Sequence, residues 1–215
     1  MADPSRLLAA TVAIYGEEQT RRLYGEVLPV PGARIVETAE GATLRLAGRE
    51  LLFLDAPGHA RHHVVVRDGK TGHFFAGDTF GLSYRELDQD GRQFSFPTTS
   101  PSQLDPPALH RSIERMLAYR PAALYVAHFG RLTNLTVLAA DLHRLIDAHA
   151  ALGERHRRAG AERKRLLTEG VRSLVLAERE RQGWRLPSEK VLEVFALDIE
   201  LNAQGLEFWL DAEGK

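Results

Sequence analysis

Three short apolar runs, each closing on a polar side chain, most constrain what this chain can fold into. Leu51-Leu52-Phe53-Leu54 runs into Asp55-Ala56-Pro57-Gly58-His59. Phe74-Phe75-Ala76 runs into Gly77-Asp78, and Leu124-Tyr125-Val126-Ala127 into His128-Phe129-Gly130. Apolar stretches this short, bounded by turn residues, read as buried strands rather than helices. A strand that stops at a turn and a His or Asp presents that side chain from the rigid end of a sheet.

His59, Asp78 and His128 therefore form a candidate constellation. Imidazole and carboxylate together suit zinc, iron or manganese. Gly58 and Gly77 precede two of the three, where a missing Cβ allows a sharp turn or a close backbone approach. The plainer alternative stays open residue by residue: a His after an apolar run is often a packed or surface residue, and Gly-Asp is often only a turn. The chain has no Cys, so no disulfide and no thiolate metal site is available, which fits a reducing, cytoplasmic setting.

Periodicity supplies the other elements. Asp3-Pro4-Ser5 is a helix start, followed by Leu7, Leu8, Val12 and Ile14. A second helix is expected over 17–27, ended by Pro29-Val30-Pro31. Strands follow at 34–37, 43–46 and 50–54, then a hairpin of 62–67 and 73–76 around Asp68-Gly69. Strand alternation would send His62 and His63 to opposite faces, where one could reach the constellation as an outer group, with a surface or sheet-packing His as the preferred reading. Residues 81–107 form a long aperiodic stretch, of the kind that covers sites. Within it Tyr84, Arg85 and Thr98 are candidate substrate contacts, with loop packing as the alternative. A helix at 108–119 and a strand at 123–127 then deliver His128. After Gly130 the pattern is helical throughout: 135–152, 162–181 and 188–210, the last broken at Gly205. The expected organisation is a mixed α/β (α+β) core over 1–131 and a helical appendage over 132–215.

A net charge of −1 gives no reason to expect nucleic acid or an anionic membrane as partner, and no apolar run is long enough to span a bilayer. The basic cluster Arg155-His156-Arg157-Arg158 with Arg163-Lys164-Arg165 is flanked by Glu154 and Glu162 and reads as a solvated helix face. Helices this long and amphipathic commonly pair chains, so a homodimer through 132–215 is an expectation. No Gly-x-Ser-x-Gly elbow offers a serine nucleophile.

Pro57-Gly58-His59, Phe75-Ala76-Gly77-Asp78-Thr79 and Val126-Ala127-His128-Phe129-Gly130 resemble, in that order, the later metal-ligand motifs of the metallo-β-lactamase superfamily, in the flavour of its glyoxalase II-like branch. The resemblance implies a partial metallo-β-lactamase αβ/βα sandwich. It implies that His59 binds a first metal, Asp78 bridges two, and His128 binds the second. It implies a hydrolase in which a metal-activated water attacks an ester, thioester, lactone or amide carbonyl of a small molecule, with Zn2+ as the first choice of ion and Fe or Mn as others. The family's upstream His-x-His-x-Asp-His pattern has no counterpart: of nine His the first is His59 itself. A shortened chain, a misplaced start or a degenerate paralogue would each produce that. The expectation is a chain impaired in catalysis, or else a non-catalytic scaffold derived from the same fold.

Overall fold

The computed structural model describes residues 2–99 and 103–213, so Ser100, Pro101 and Ser102 of the long aperiodic stretch lie outside the described residues. Two compact units are present, Met1–Thr38 and Ala39–Lys215.

The first unit holds two helices. Helix α1, Ser5–Tyr15, begins where the Ser5 N–H donates to the Asp3 carboxylate at 3.0 Å. Gly16, at φ 78°, turns the chain into α2, Glu17–Tyr24. This helix ends sooner than the prolines suggest. Gly25 adopts φ 62° and donates its N–H to Arg21 O, closing the helix with a left-handed residue that only glycine takes cheaply. The strand expected at 34–37 does not form. Gly32–Arg34 is one turn of 3-10 helix, and Val36 is 68% exposed. A strand needs a hydrogen-bonded neighbour, and among the described residues of this unit there is none.

The second unit is a six-stranded sheet in sequential order, packed against helices. Strands β1, Thr43–Leu46, and β2, Arg49–Asp55, are joined by Ala47 and Gly48, both at positive φ, the two-residue turn that matches strand twist. Strand β3, Val64–Asp68, and β4, Phe74–Gly77, form the expected hairpin. Its turn is held by the buried Asp68 carboxylate, which accepts from Lys70 N–H at 3.0 Å, from the Thr71 hydroxyl at 2.8 Å and from Arg49. Helix α3, Pro106–Ala118, crosses over to β5, Leu124–Val126, which lies parallel to β4. Asp105 caps α3 by accepting from Ala108 N–H at 2.9 Å, and Leu109, Ile113 and Met116 bury one face. A sixth strand, β6, Gly130–Leu132, pairs antiparallel with β5. It falls where no strand was expected, because three residues with one buried side chain carry no periodicity to read.

The remaining helices are α4, Leu135–His156, α5, Arg163–Gln182, α6, Ser188–Val194, and α7, Ala196–Glu213. The last expected helix breaks at Phe195, not at Gly205, which sits inside α7. An alanine Cβ at Gly205 would stand 2.2 Å from the Thr99 carbonyl oxygen, so that glycine serves a close approach rather than a break. The helices also do not make a body of their own starting at 132. Leu142, Leu145, Val171, Val175, Phe195 and Leu206 belong to the same buried cluster as Phe74, Phe96 and Leu124. The compact unit accordingly runs from Ala39 through the helices. The basic cluster is laced with acids: Arg157 pairs with Glu154, Arg163 with Asp211, and Arg165 with Glu162 and Glu169.

One core residue makes stability depend on pH. His149 of α4 is buried, donates Nδ1–H to Leu145 O at 2.7 Å, and lies edge-on to Phe96. Its Nε2 has no hydrogen-bond partner among the described residues, and burial pushes its pKa down from 6.5 to about 4. The folded state thus favours neutral His149. Its contribution is complete above the ordinary value and is lost as pH falls toward the lowered one, by about 2 kcal/mol at pH 4.5. Urea unfolding at pH 7.5 and 4.5 should show this loss in the native chain and its disappearance in His149→Leu.

Candidate functional site

Strand directions decide which side chains meet. Strands β2 and β4 flank the antiparallel β3 and so run the same way, and β5 runs parallel to β4. His59 follows β2, Asp78 follows β4 and His128 follows β5. All three thus leave the same edge of the sheet, the edge at which open α/β sheets bind ligands. A backbone bond from Ala127 N–H to Gly77 O, 3.2 Å, ties the last two strand ends together.

The side chains converge on Asp78. His128 Nε2 is 3.3 Å from Asp78 Oδ1, and His59 Nε2 is 3.8 Å from Asp78 Oδ2. Side-chain exposure rises from 13% at His59 through 25% at Asp78 to 56% at His128, so the cluster opens to solvent on the His128 side. Both glycines are required. Gly58 has φ 133°, and a Cβ there would lie 2.3 Å from the Leu109 backbone; Gly77 has φ 52°, and a Cβ there would lie 2.6 Å from His63 Nε2.

Surrounding groups orient each ligand-type residue. His59 Nδ1 lies 3.0 Å from the Thr98 carbonyl and 3.1 Å from its hydroxyl. The carbonyl accepts only, so Nδ1 carries the proton and the Nε2 lone pair faces Asp78. His63 is the other imidazole here. Its Nε2 accepts the Asp78 N–H at 3.1 Å and its Nδ1 meets the Thr79 hydroxyl at 3.0 Å, so both ring nitrogens are engaged in holding the Asp78 turn. Burial first, then the neighbouring His59, lowers the His63 pKa, with Asp78 opposing. His62 is exposed, and neither residue lies in a strand, so the expected alternation does not apply.

Thr98 therefore reaches the site through His59. Tyr84 donates its hydroxyl to Asp198 of α7 at 2.5 Å, while its ring packs on Phe129 and Phe195. Burial, reinforced by Asp198, pushes the Tyr84 pKa up. Burial also raises that of Asp198, against the pull of Tyr84 and His128. Arg85 binds Asp88 and the Ser83 hydroxyl, both at 2.8 Å. Asp198 went unnoticed in the sequence. Its only signal was an acid three residues after Phe195 in the expected helix.

The donors suit a divalent ion in kind. Two imidazole nitrogens face one carboxylate, and Asp78 Oδ1 is buried with no hydrogen-bond partner among the described residues. In number they are few: among the described residues no group of three or more His, Cys, Asp or Glu is arranged to hold a metal ion. The two His address different oxygens of Asp78, so the arrangement fits a carboxylate shared by two ions better than one common centre.

Helix α7 props up this site. Asn202, buried, accepts from Thr99 N–H at 2.7 Å and from the Thr99 hydroxyl at 3.0 Å, and donates to Pro97 O at 3.1 Å. That clamps residues 97–99, whose Thr98 carbonyl sets the His59 tautomer. Asn202→Ala would strand buried backbone groups and should cost about 2–4 kcal/mol. Gly205→Ala, by overpacking against Thr99, should cost about 1–3 kcal/mol. Chemical denaturation measures both. In each variant the His59 Nε2 resonance should shift, a change that a mutation in α5 would not produce.

No protein-family model and no curated protein matches the sequence. Solved structures do resemble the fold. An archaeal metallo-β-lactamase superfamily protein from Sulfolobus tokodaii superposes with a TM-score of 0.53 at 18% identity, over 94% of this chain and 63% of that one. A β-lactamase domain protein from Burkholderia ambifaria gives 0.50 at 20% identity, over 96% of this chain and 55% of that one. This chain thus spans roughly three fifths of the length of the structures it matches. With its six-stranded sheet, the α3 crossover and the flanking helices, the chain has the metallo-β-lactamase fold.

Proposed function

We propose that this chain is a metal-dependent hydrolase of the glyoxalase II-like kind with a weak metal centre. His59, Asp78 and His128 would hold the divalent metal, zinc by preference. The substrate is a small molecule with an ester, thioester or lactone carbonyl. The observation that carries this reading is the Asp78 carboxylate with one imidazole at each oxygen, its buried Oδ1 without a hydrogen bond among the described residues. Ions bound there supply Lewis acidity and a lowered water pKa.

The chain's own residues do the rest. Thr98 keeps the His59 Nε2 lone pair free, and His63 fixes the Asp78 turn. The Tyr84 and Phe129 rings offer an apolar wall beside His128. Arg85, 42% exposed, is the cation available to a substrate anion once it releases Asp88. Each ion has two protein donors, one fewer than a catalytic zinc usually keeps. Low affinity and low turnover follow. The same shortfall favours a second reading, a non-catalytic scaffold on this fold.

Calorimetric titration with Zn2+ and Mn2+, paired with assays on thioesters and lactones, separates the readings. We expect ions that dialysis removes, slow hydrolysis only in excess metal, and loss of both in Asp78→Asn. Arg85→Ala should raise KM with little change in kcat. Two ions retained against a chelator would overturn the weak-centre reading. Metal binding abolished by Asp78→Asn without any hydrolysis would leave the scaffold.

A further inference from the structure

A second histidine cluster lies at the α3–α4 contact and belongs to none of the motifs above. His110 of α3 and His143 of α4 meet head to head, with ring centroids 4.7 Å apart and planes 27° from parallel. Their Nδ1 atoms are 2.5 Å apart. The far nitrogens are both engaged: His110 Nε2 is 2.9 Å from Asp147 Oδ1, and His143 Nε2 is 2.7 Å from Glu114 Oε1.

Donor accounting makes this arrangement unusual. An ionised carboxylate only accepts, so each Nε2 carries a proton. Both Nδ1 atoms then point lone pairs at one another. Two lone pairs that face each other are satisfied by an electrophile between them. One proton satisfies the pair, as an imidazole hydrogen-bonded to an imidazolium. A borderline metal cation satisfies it as well. An imidazole whose outer N–H is held by a carboxylate is the arrangement in which metal-binding histidines are found, because the carboxylate fixes the tautomer and raises ligand basicity. Here that arrangement occurs twice, facing inward.

We propose that His110 and His143 form a peripheral site for one divalent late transition-metal ion, Cu2+, Zn2+ or Ni2+, bound through their Nδ1 atoms. The ion displaces the shared proton, which leaves to solvent, and water completes the coordination. The nitrogens must separate to about 3.3 Å, the span of two ligands on a tetrahedral ion with bonds of about 2.0 Å. Side chains on two packed helices make that adjustment by small rotations. Asp147 and Glu114 stay on the outer nitrogens, so the ion has two protein donors and not three, in keeping with the absence of a larger cluster. Imidazole-only ligation favours Cu2+ among these ions, and competition with the proton makes binding tighten as pH rises. An ion here would pin α3, which carries the crossover from β4 to β5, onto α4.

The test uses the full chain with His59→Ala and His128→Ala, so that the candidate centre does not compete. Cu2+ titration at pH 8 should give one ion per chain, nitrogen hyperfine structure from two imidazoles, and proton uptake by the buffer as the ion binds. Saturating Zn2+ should raise Tm by about 2–4 °C. His110→Gln or His143→Gln should weaken Cu2+ binding at least tenfold and remove the Tm rise. Should the background variant fail to fold, the otherwise native chain serves, and His110→Gln should lower its Cu2+ stoichiometry by one. Undiminished binding in both Gln variants, or no copper bound at pH 8, overturns the proposal.

Discussion

The parallel pairing of β4 with β5 is the constraint on which the rest of the structure depends. Every other neighbouring pair in the sheet is antiparallel and can close through a short turn. This one cannot, because a parallel return must cross over the sheet. The crossover is supplied by the 81–105 stretch and α3, which bury the sheet's inner face on the way. Antiparallel pairing at this point would send His128 to the opposite edge from Asp78. The long aperiodic stretch is thus the connection that makes the candidate site possible, and Thr98 at its far end reaches back to His59.

The helices after β6 then determine how rigid that connection is. Residues 97–99 have no regular secondary structure, yet Thr99 is buried. A buried loop must find partners for its backbone groups, and here Asn202 provides them from α7. Gly205, one turn further on, lets the helix come close enough to do it. Asp198, one turn earlier, takes the Tyr84 hydroxyl. Three residues on one stripe of α7 therefore hold both ends of the loop, and a reading in which the helices are an independent appendage misses what orders the site.

How much was legible follows from where the signals lie. Strands β1 to β5 were readable because each is an apolar or alternating run bounded by glycine or proline. The site edge was readable because glycine precedes two of the polar residues and strand order fixes direction. Helices α3 to α5 were readable from their apolar faces. What failed depended on distant partners. The 34–37 segment has β-branched residues but no neighbour to pair with. Strand β6 exists only because β5 offers it an edge. The break at Phe195 is set by its packing among Phe94, Phe96 and Trp184 rather than by a proline or glycine. Tyr84 and Arg85 looked free in the sequence because their acidic partners, Asp198 and Asp88, are recognisable only once the chain is folded.

Polar groups left without partners carry the functional argument, since burying one costs free energy that folding must offset. Asp78 Oδ1 and His149 Nε2 are both buried and unpartnered, but their surroundings differ. His149 sits among apolar side chains, and its cost is met by staying neutral. Asp78 faces two imidazoles near solvent, where a cation of the proposed function would offset that cost. The same reasoning separates the two histidine pairs. At the candidate centre the imidazoles are aimed by a carbonyl and by a strand end at a carboxylate between them. At the α3–α4 contact they are aimed by carboxylates at each other. The first arrangement presents a carboxylate flanked by two imidazoles, which is what the proposed function asks of it. The second presents two ring nitrogens to each other, which is what the proposed peripheral site asks of it.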